Sequence, residues 1–308
     1  MKSWAYQILK TKGSGGYADV HKGKNLFTGQ IVALKELRVP NQENRKRFKR
    51  ESDLLTIYKD SPYFPDLYQS VLDCDEPYLI MEYSSIGSLQ QFVGTLTDWR
   101  RGARWLVDIG HALEAMEKRG DLHRDLKPGN MLLYPLADGE EIVKLIDFGL
   151  AHRPDNPSGP ATNSVYGTKG YIDPVAEKTG VFFKQADTYS VGRAMRAFFT
   201  GNPDGALFRT IPGPVEFRNL IESMMDTDIT RRPTPRQIHQ TAERLLSVPE
   251  TPVFELPKID WGKVDWGKLA IAGGAALALL ALLKPNSWDE NAQRYRDGNG
   301  QFASGWFG

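Results

Sequence analysis

The sequence predicts an α+β chain of two lobes, a small strand-rich lobe over about residues 4–85 and a larger, mainly helical lobe over about 86–247. Three observations lead to this. Short apolar runs of strand length, Ile31-Val32-Ala33-Leu34-Lys35 and Tyr78-Leu79-Ile80-Met81, mark the first stretch. From Trp99 onward the apolar residues recur at helical spacing instead. A chain of 308 residues with 41% hydrophobic content is long enough and apolar enough for one large domain of two lobes.

Taken in order, the first strand-like run ends before Pro40 and Asn41, which break the pattern. Beyond them Phe48, Glu51, Leu55 and Tyr58 fall on one face of a helix. The second run closes at Glu82-Tyr83 and a Ser/Gly connector. Trp99, Ala103, Leu106, Gly110 and Leu113 line one face of a longer helix, with Gly120 as its stop signal. Ile142-Val143-Lys144-Leu145-Ile146 is strand-like and delivers Asp147 at its end. Helical patterns follow near 185–200, 214–225 and 234–246. After Ser247 the character changes. Pro249, Pro252 and Pro257 predict an extended linker over 248–268, which carries the repeat Ile259-Asp260-Trp261-Gly262-Lys263 and Val264-Asp265-Trp266-Gly267-Lys268. Residues 269–283 contain no polar side chain and predict an apolar helix, and 284–308 reads as a flexible polar tail.

The formal net charge of +1 gives no global basic field, so nucleic acid is not an expected partner. The basic run Arg45-Lys46-Arg47, with Lys49 and Arg50, reads as a solvated helix face. Cys74 is the single cysteine, which rules out an intrachain disulfide and fits a reducing compartment. Met1-Lys2-Ser3-Trp4 leads into structured-looking sequence without the apolar run of a secretory signal, so a cytoplasmic domain is expected.

The chemistry concentrates in two strings. His123-Arg124-Asp125-Leu126-Lys127-Pro128-Gly129-Asn130, followed by Asp147-Phe148-Gly149, sets a potential base, a cation and two oxygen ligands for a metal on neighbouring loops. Upstream, Gly13-Ser14-Gly15-Gly16-Tyr17-Ala18-Asp19-Val20 reads as a glycine-rich turn between strands, where backbone N–H groups can approach phosphate oxygens without a Cβ in the way. Lys35 follows on the next strand.

In this order the motifs resemble the eukaryotic-like Ser/Thr protein kinase family over about residues 4–247. The resemblance implies an antiparallel sheet in the first lobe and ATP with Mg²⁺, or Mn²⁺, as cofactors. Lys35 would hold the α- and β-phosphates and pair with Glu51, with Glu43 a weaker rival. Gly13, Ser14, Gly15, Gly16 and Val20 would cover the phosphates, with Ala18 standing where the family usually has a third glycine. Ala33 and Leu132 would sandwich the adenine, Met81 would guard the back of its pocket, and the main chain of Glu82 and Ser84 would bind its edge. Asp125 would accept the substrate hydroxyl proton, and Lys127 would offset charge on the phosphoryl group. Thr168 would bond to both, and Asn130 and Asp147 would hold the metal. His123 and Phe148 are expected to pack rather than react. Arg124 would answer a phosphate on Thr162, Ser164 or Tyr166, and Asp187 would anchor the catalytic loop. Lys127 and Thr168 point to serine or threonine of protein substrates as acceptor, and autophosphorylation of the activation segment is expected. A small-molecule phosphotransferase and a non-catalytic binding module are the competing readings.

Two places depart from the family pattern or exceed it. Asp173 and Val175 stand where alanine and glutamate are expected around Pro174, leaving Glu177 as a candidate partner for Arg232. The run 269–283 would be about 22 Å long as a helix, short against a hydrocarbon core of about 30 Å. Trp261, Trp266 and Trp288 flank it, with Lys268 and Lys284 at its ends. A membrane anchor, a partner-binding helix and a helix folded back on the domain all stay open.

Overall fold

The computed structural model describes residues 5–14, 16–152, 167–204 and 211–249. The first lobe is built on an antiparallel sheet of β1 (Tyr6–Ser14), β2 (Ala18–Asn25), β3 (Ile31–Leu37), β4 (Leu67–Val71) and β5 (Tyr78–Glu82), in the order β1-β2-β3-β5-β4. Alternation along β3 separates two faces. Val32 and Leu34 join Ile80 in a small outer cluster flanked by Tyr6 and Tyr78. Ala33, Lys35 and Leu37 take the other face, where Leu37 and Ala33 meet the main core. The β2–β3 register puts Val20 opposite Lys35, so the end of the glycine turn lies over the lysine.

Between β3 and β4 runs α1 (Gln42–Ile57). The Asn41 side chain caps it by accepting from the Asn44 N–H at 2.8 Å, the role Asn fills at helix starts. Phe48, Leu54 and Leu55 are fully buried, and the same face carries Glu51 inward at 2% exposure. Burial of those apolar side chains fixes the rotation of α1 and so aims the carboxylate at β3.

In the second lobe a three-stranded antiparallel sheet, β6 (Gly87–Ser88), β7 (Met131–Pro135) and β8 (Glu141–Leu145), frames the loops that carry the two chemical strings. The helices are α2 (Trp99–Lys118), α3 (Pro174–Thr179), α4 (Ala186–Thr200), α5 (Val215–Met224) and α6 (Pro235–Ser247). Asp98 caps α2 through the Arg100 N–H at 2.8 Å, and Gly120, at φ +75°, ends the turn beyond it. Trp105 of α2 is fully buried, edge-on to Phe198 of α4. Helices α2 and α6 approach closely at Gly110, where a Cβ would lie 2.8 Å from His239 Cβ. Short α3 is a sequence-weak element, one turn and a half set by Asp173 and Pro174 at its start.

Asp173, not Glu177, meets Arg232. The two side chains form a buried ion pair, each 1% exposed, whereas Glu177 is exposed on α3. The other oxygen of Asp173 accepts from the N–H groups of Val175 and Ala176 at 2.7 and 3.1 Å, so one carboxylate both caps α3 and neutralises the arginine.

Apart from Val248 and Pro249, the sequence-predicted linker 248–268, the apolar run 269–283 and the tail 284–308 lie outside the described residues. Among the described residues no helix is long and apolar enough to cross a membrane.

Candidate active site

A cleft of about 500 Å³ opens between the two lobes. From the first lobe Gly16, Val20, Ala33, Lys35, Glu51, Met81 and Glu82 line it. Asp125, Lys127, Leu132 and Asp147 line it from the second lobe. The structure thus gathers onto one cavity residues from Gly16 to Leu150 in the sequence.

Lys35 is the hub of the upper wall. Its Nζ donates to Glu51 Oε1 at 2.8 Å and Oε2 at 2.6 Å, and to Asp147 Oδ1 at 3.1 Å. Burial works against the ammonium charge, but Asp147 and Glu51 outweigh it and hold Lys35 well above its ordinary value. Burial pushes Glu51 up to about 7 against the pull of Lys35. In Asp147 burial also pushes upward, but Lys35 and the hydrogen bonds from Lys35 and Tyr17 bring the carboxyl down to about 2. Asp147 is therefore charged at any physiological pH.

The lower wall is a second network. Lys127 Nζ donates to Asp125 Oδ2 at 2.9 Å and to Thr168 Oγ1 at 2.8 Å, and Thr168 Oγ1 donates to Asp125 Oδ1 at 2.7 Å. Asn130 Nδ2 donates to the Asp125 carbonyl at 2.7 Å and to Asp125 Oδ2 at 3.1 Å. Both loops are tied down from behind. Asp187 on α4 accepts from the N–H groups of His123 and Arg124 at 2.6 and 2.9 Å. His123 Nε2 sits 2.9 Å from the Ile146 carbonyl, and its ring packs on Phe148 at 4.9 Å. Ile146 N–H donates to the Asn130 carbonyl at 3.0 Å. These ties hold Arg124 and Asp147 at φ +69° and +67°, a region that costs a non-glycine residue about 1–2 kcal/mol.

The residues present fit a divalent metal of the Mg²⁺ class. Asp147 supplies a carboxylate oxygen held well below the usual range, and the Asn130 amide, whose nitrogen donates to Asp125, has its oxygen left to ligate.

Other sequence-predicted residues lie off the cavity wall or outside the described residues. The backbones of Gly13 and Ser14 pair with Val20 and Asp19 in the β1–β2 hairpin, and Gly15 lies outside the described residues. Ser84 is buried, its hydroxyl donating to the Leu133 carbonyl at 2.5 Å and accepting from Gly87 N–H at 2.8 Å. Glu43 pairs with Arg47 on the surface and takes no part in the cleft. Thr162, Ser164 and Tyr166 lie outside the described residues. Arg124 is buried over the Phe182 ring, 4.8 Å from its centroid, with no hydrogen-bond partner for its Nε among the described residues.

Two aromatic residues of the cleft escape sequence reasoning. Tyr17 donates its hydroxyl to Asp147 Oδ1 at 3.0 Å. Tyr134 lines the cleft, with its hydroxyl 3.4 Å from the Glu82 carbonyl. Neither carries a spacing signal: an aromatic in a glycine turn can point out or in, and Tyr134 reads as a plain strand residue.

Comparison with known proteins agrees with this geometry. Residues 6–210 match the family model for the protein kinase domain. The chain belongs to that family. Among its curated relatives, it is 34% identical over 199 residues to the probable serine/threonine-protein kinase PBL26 of Arabidopsis thaliana, covering 61% of this chain and 47% of that protein. It is 30% identical to the probable serine/threonine-protein kinase zyg-1 of Caenorhabditis elegans, over 74% of this chain and 32% of that protein. With the serine/threonine-protein kinase PrkC of Bacillus subtilis it shares 29% identity, over 65% of this chain and 31% of that protein. The chain thus spans less than half the length of these relatives.

Proposed function

We propose that the chain is a protein serine/threonine kinase that transfers the γ-phosphate of ATP to hydroxyl groups of protein substrates. One observation carries the reading furthest: the Asp125–Lys127–Thr168 network of the second lobe and the Lys35–Glu51 pair of the first face the same cleft, and Lys35 reaches across it to Asp147. Lys35, steadied by Glu51, holds the α- and β-phosphates. Ala33 and Leu132 bracket the base. Asp125 orients the acceptor hydroxyl and takes its proton, and Thr168 and Lys127 fix the carboxylate rotamer. Lys127 also lies where charge moves onto the leaving and attacking oxygens. A Mg²⁺ ion held by Asp147 and Asn130 would supply charge neutralisation for the phosphates. Catalysis of this kind is mostly positioning and electrostatics, which suits a site whose donors are already fixed by packing.

The test is incubation of the full chain with labelled ATP, Mg²⁺ and a mixed protein acceptor, followed by acid hydrolysis and separation of the phosphoamino acids. Label on phosphoserine or phosphothreonine is expected. Label confined to phosphotyrosine, or to small molecules alone, overturns the reading. For 269–283, its apolar composition and flanking Trp and Lys residues support an anchoring or partner-contact role. Fractionation of the full chain with and without lipid vesicles decides the anchor: a chain that stays in the supernatant in both cases is not anchored.

A further inference from the structure

Outside the residues that line the cleft, α2 and α6 bring three metal-ligating side chains together. His111 comes from α2, and His239 and Glu243 come from α6, four residues apart and so on one face. Their ligand atoms all lie within 4.8 Å of one another. Glu243 Oε1 stands 3.1 Å from His111 Nε2 and 3.3 Å from His239 Nδ1. Bonds of about 2.0–2.1 Å to a tetrahedral ion set neighbouring ligand atoms about 3.3 Å apart. Two edges of such a tetrahedron are therefore in place. The third, His111 Nε2 to His239 Nδ1, closes by adjustment of His111, whose side chain is 29% exposed.

A carboxylate behind His239 orients that ring as a ligating imidazole requires. His239 is buried, and its Nε2 lies 3.0 Å from Glu114 Oε2. A carboxylate only accepts, so Nε2 carries the hydrogen, and in the tautomer with hydrogen on Nε2 alone the lone pair of Nδ1 faces Glu243. Two acceptors then face each other, and a cation between them relieves the opposition. The carboxylate–histidine–metal relay is the common way a ligating imidazole is held. Glu114 is itself tied to Lys118 at 3.2 Å. The rings of His111 and His239 stack at 3.9 Å, and Tyr63 stacks on His111 at 5.2 Å, so the more exposed His111 turns out of the stack for both in-plane lone pairs to meet one ion. Gly110 allows the helices to come this close.

We propose that His111, His239 and Glu243 form a binding site for a divalent cation of the Zn²⁺ class, with Glu114 as the orienting residue and water completing the coordination. Two imidazoles and one carboxylate suit Zn²⁺, Co²⁺ or Ni²⁺, whereas Mg²⁺ prefers an all-oxygen shell. Because the ligands come from both helices, the ion would staple α6 to α2 and raise the melting temperature of the loaded chain. The competing occupant is a proton on His239 Nδ1, bridging Glu114 and Glu243.

The experiment uses the full chain stripped of metal with a chelator and then dialysed. Zn²⁺ is titrated calorimetrically in excess Mg²⁺, and Co²⁺ binding is followed by visible absorption. Wild type should take up one equivalent, give the intense visible bands of low-coordinate Co²⁺ and melt at a higher temperature with Zn²⁺. His111→Ala and Glu243→Gln, both at partly exposed positions, should each weaken Zn²⁺ binding by at least about 10-fold, and Glu114→Gln by about 10- to 100-fold. Absence of saturable binding by wild type would assign the cluster to the proton and overturn the proposal. Equal affinity in wild type, His111→Ala and Glu243→Gln would place the ion on other donors and overturn it as well.

Discussion

Asp173→Ala should cost the fold about 4–6 kcal/mol, an unusually large loss for one polar side chain. The figure comes from two contributions. Truncation strands Arg232, whose side chain is 1% exposed, without its counter-ion, and breaking a buried pair from one side costs about 3–5 kcal/mol. It also removes the cap on α3, where Asp173 accepts from two N–H groups, worth about 1 kcal/mol. The lower end is favoured because Arg232 keeps its bond to the Asp226 carbonyl at 2.8 Å and its stacking over Tyr189 at 4.9 Å. In a domain of this size 1 kcal/mol moves the melting temperature by about 2–4 °C, so a drop of about 8–16 °C is expected. Thermal melts and urea denaturation of the full chain, read by circular dichroism, measure it. Asp173→Asn keeps a capping oxygen and loses the charge, and should fall about 1 kcal/mol short of the alanine variant. Glu177→Ala, on the exposed side of α3, should stay within about 0.5 kcal/mol of wild type. A melting temperature for Asp173→Ala within two degrees or so of wild type, or an equal loss in Glu177→Ala, refutes the assignment.

Lys35→Met should lower phosphoryl transfer by about 100-fold or more, because it removes the donor shared by Glu51 and Asp147; steady-state rates with saturating peptide acceptor check this. Tyr17→Phe frees Asp147 Oδ1 from a hydrogen bond worth about 1 kcal/mol, so Mg²⁺-dependent nucleotide binding should tighten about 5-fold in fluorescence titrations. Asp108 is pushed up from 3.8 to about 7 by burial, with Glu141 adding to it and the Val143 N–H opposing. Between those values the folded chain holds a proton that the unfolded chain has released, so stability falls as pH rises from about 4 to 7. Asp108→Asn should flatten that fall and, at pH 8, exceed wild-type stability by on the order of 1 kcal/mol, a figure reduced for the half-buried position; urea titrations across the range measure it.

Much of the fold is legible in the sequence because its signals are local. Gly120 announces a helix stop, and Phe48, Leu55, Ala103 and Leu106 lie on the buried faces their spacing indicates. The structure puts Lys35 against Glu51 because apolar periodicity sets the rotation of α1, so a long-range contact follows from a local pattern. What the sequence leaves open depends on contacts without periodicity. The pairing of Arg232 with Asp173 rather than Glu177 turns on which side of α3 faces the core, and six residues are too few to show a period. Tyr17 reaches Asp147 through a glycine turn whose direction no pattern encodes. The His111–His239–Glu243 cluster needs the α2–α6 approach at Gly110, which is visible only when both helices are placed.

The central claim is that Asp125 performs its role on a nucleotide held by the opposite lobe. It is tested most directly by single-turnover transfer from labelled ATP to a serine peptide, comparing wild type with Asp125→Asn, alongside nucleotide binding by both. Transfer should fall by about 10²- to 10⁴-fold in the variant, while Mg²⁺-dependent ATP affinity stays within a few-fold of wild type. Equal transfer by the two proteins would contradict the account.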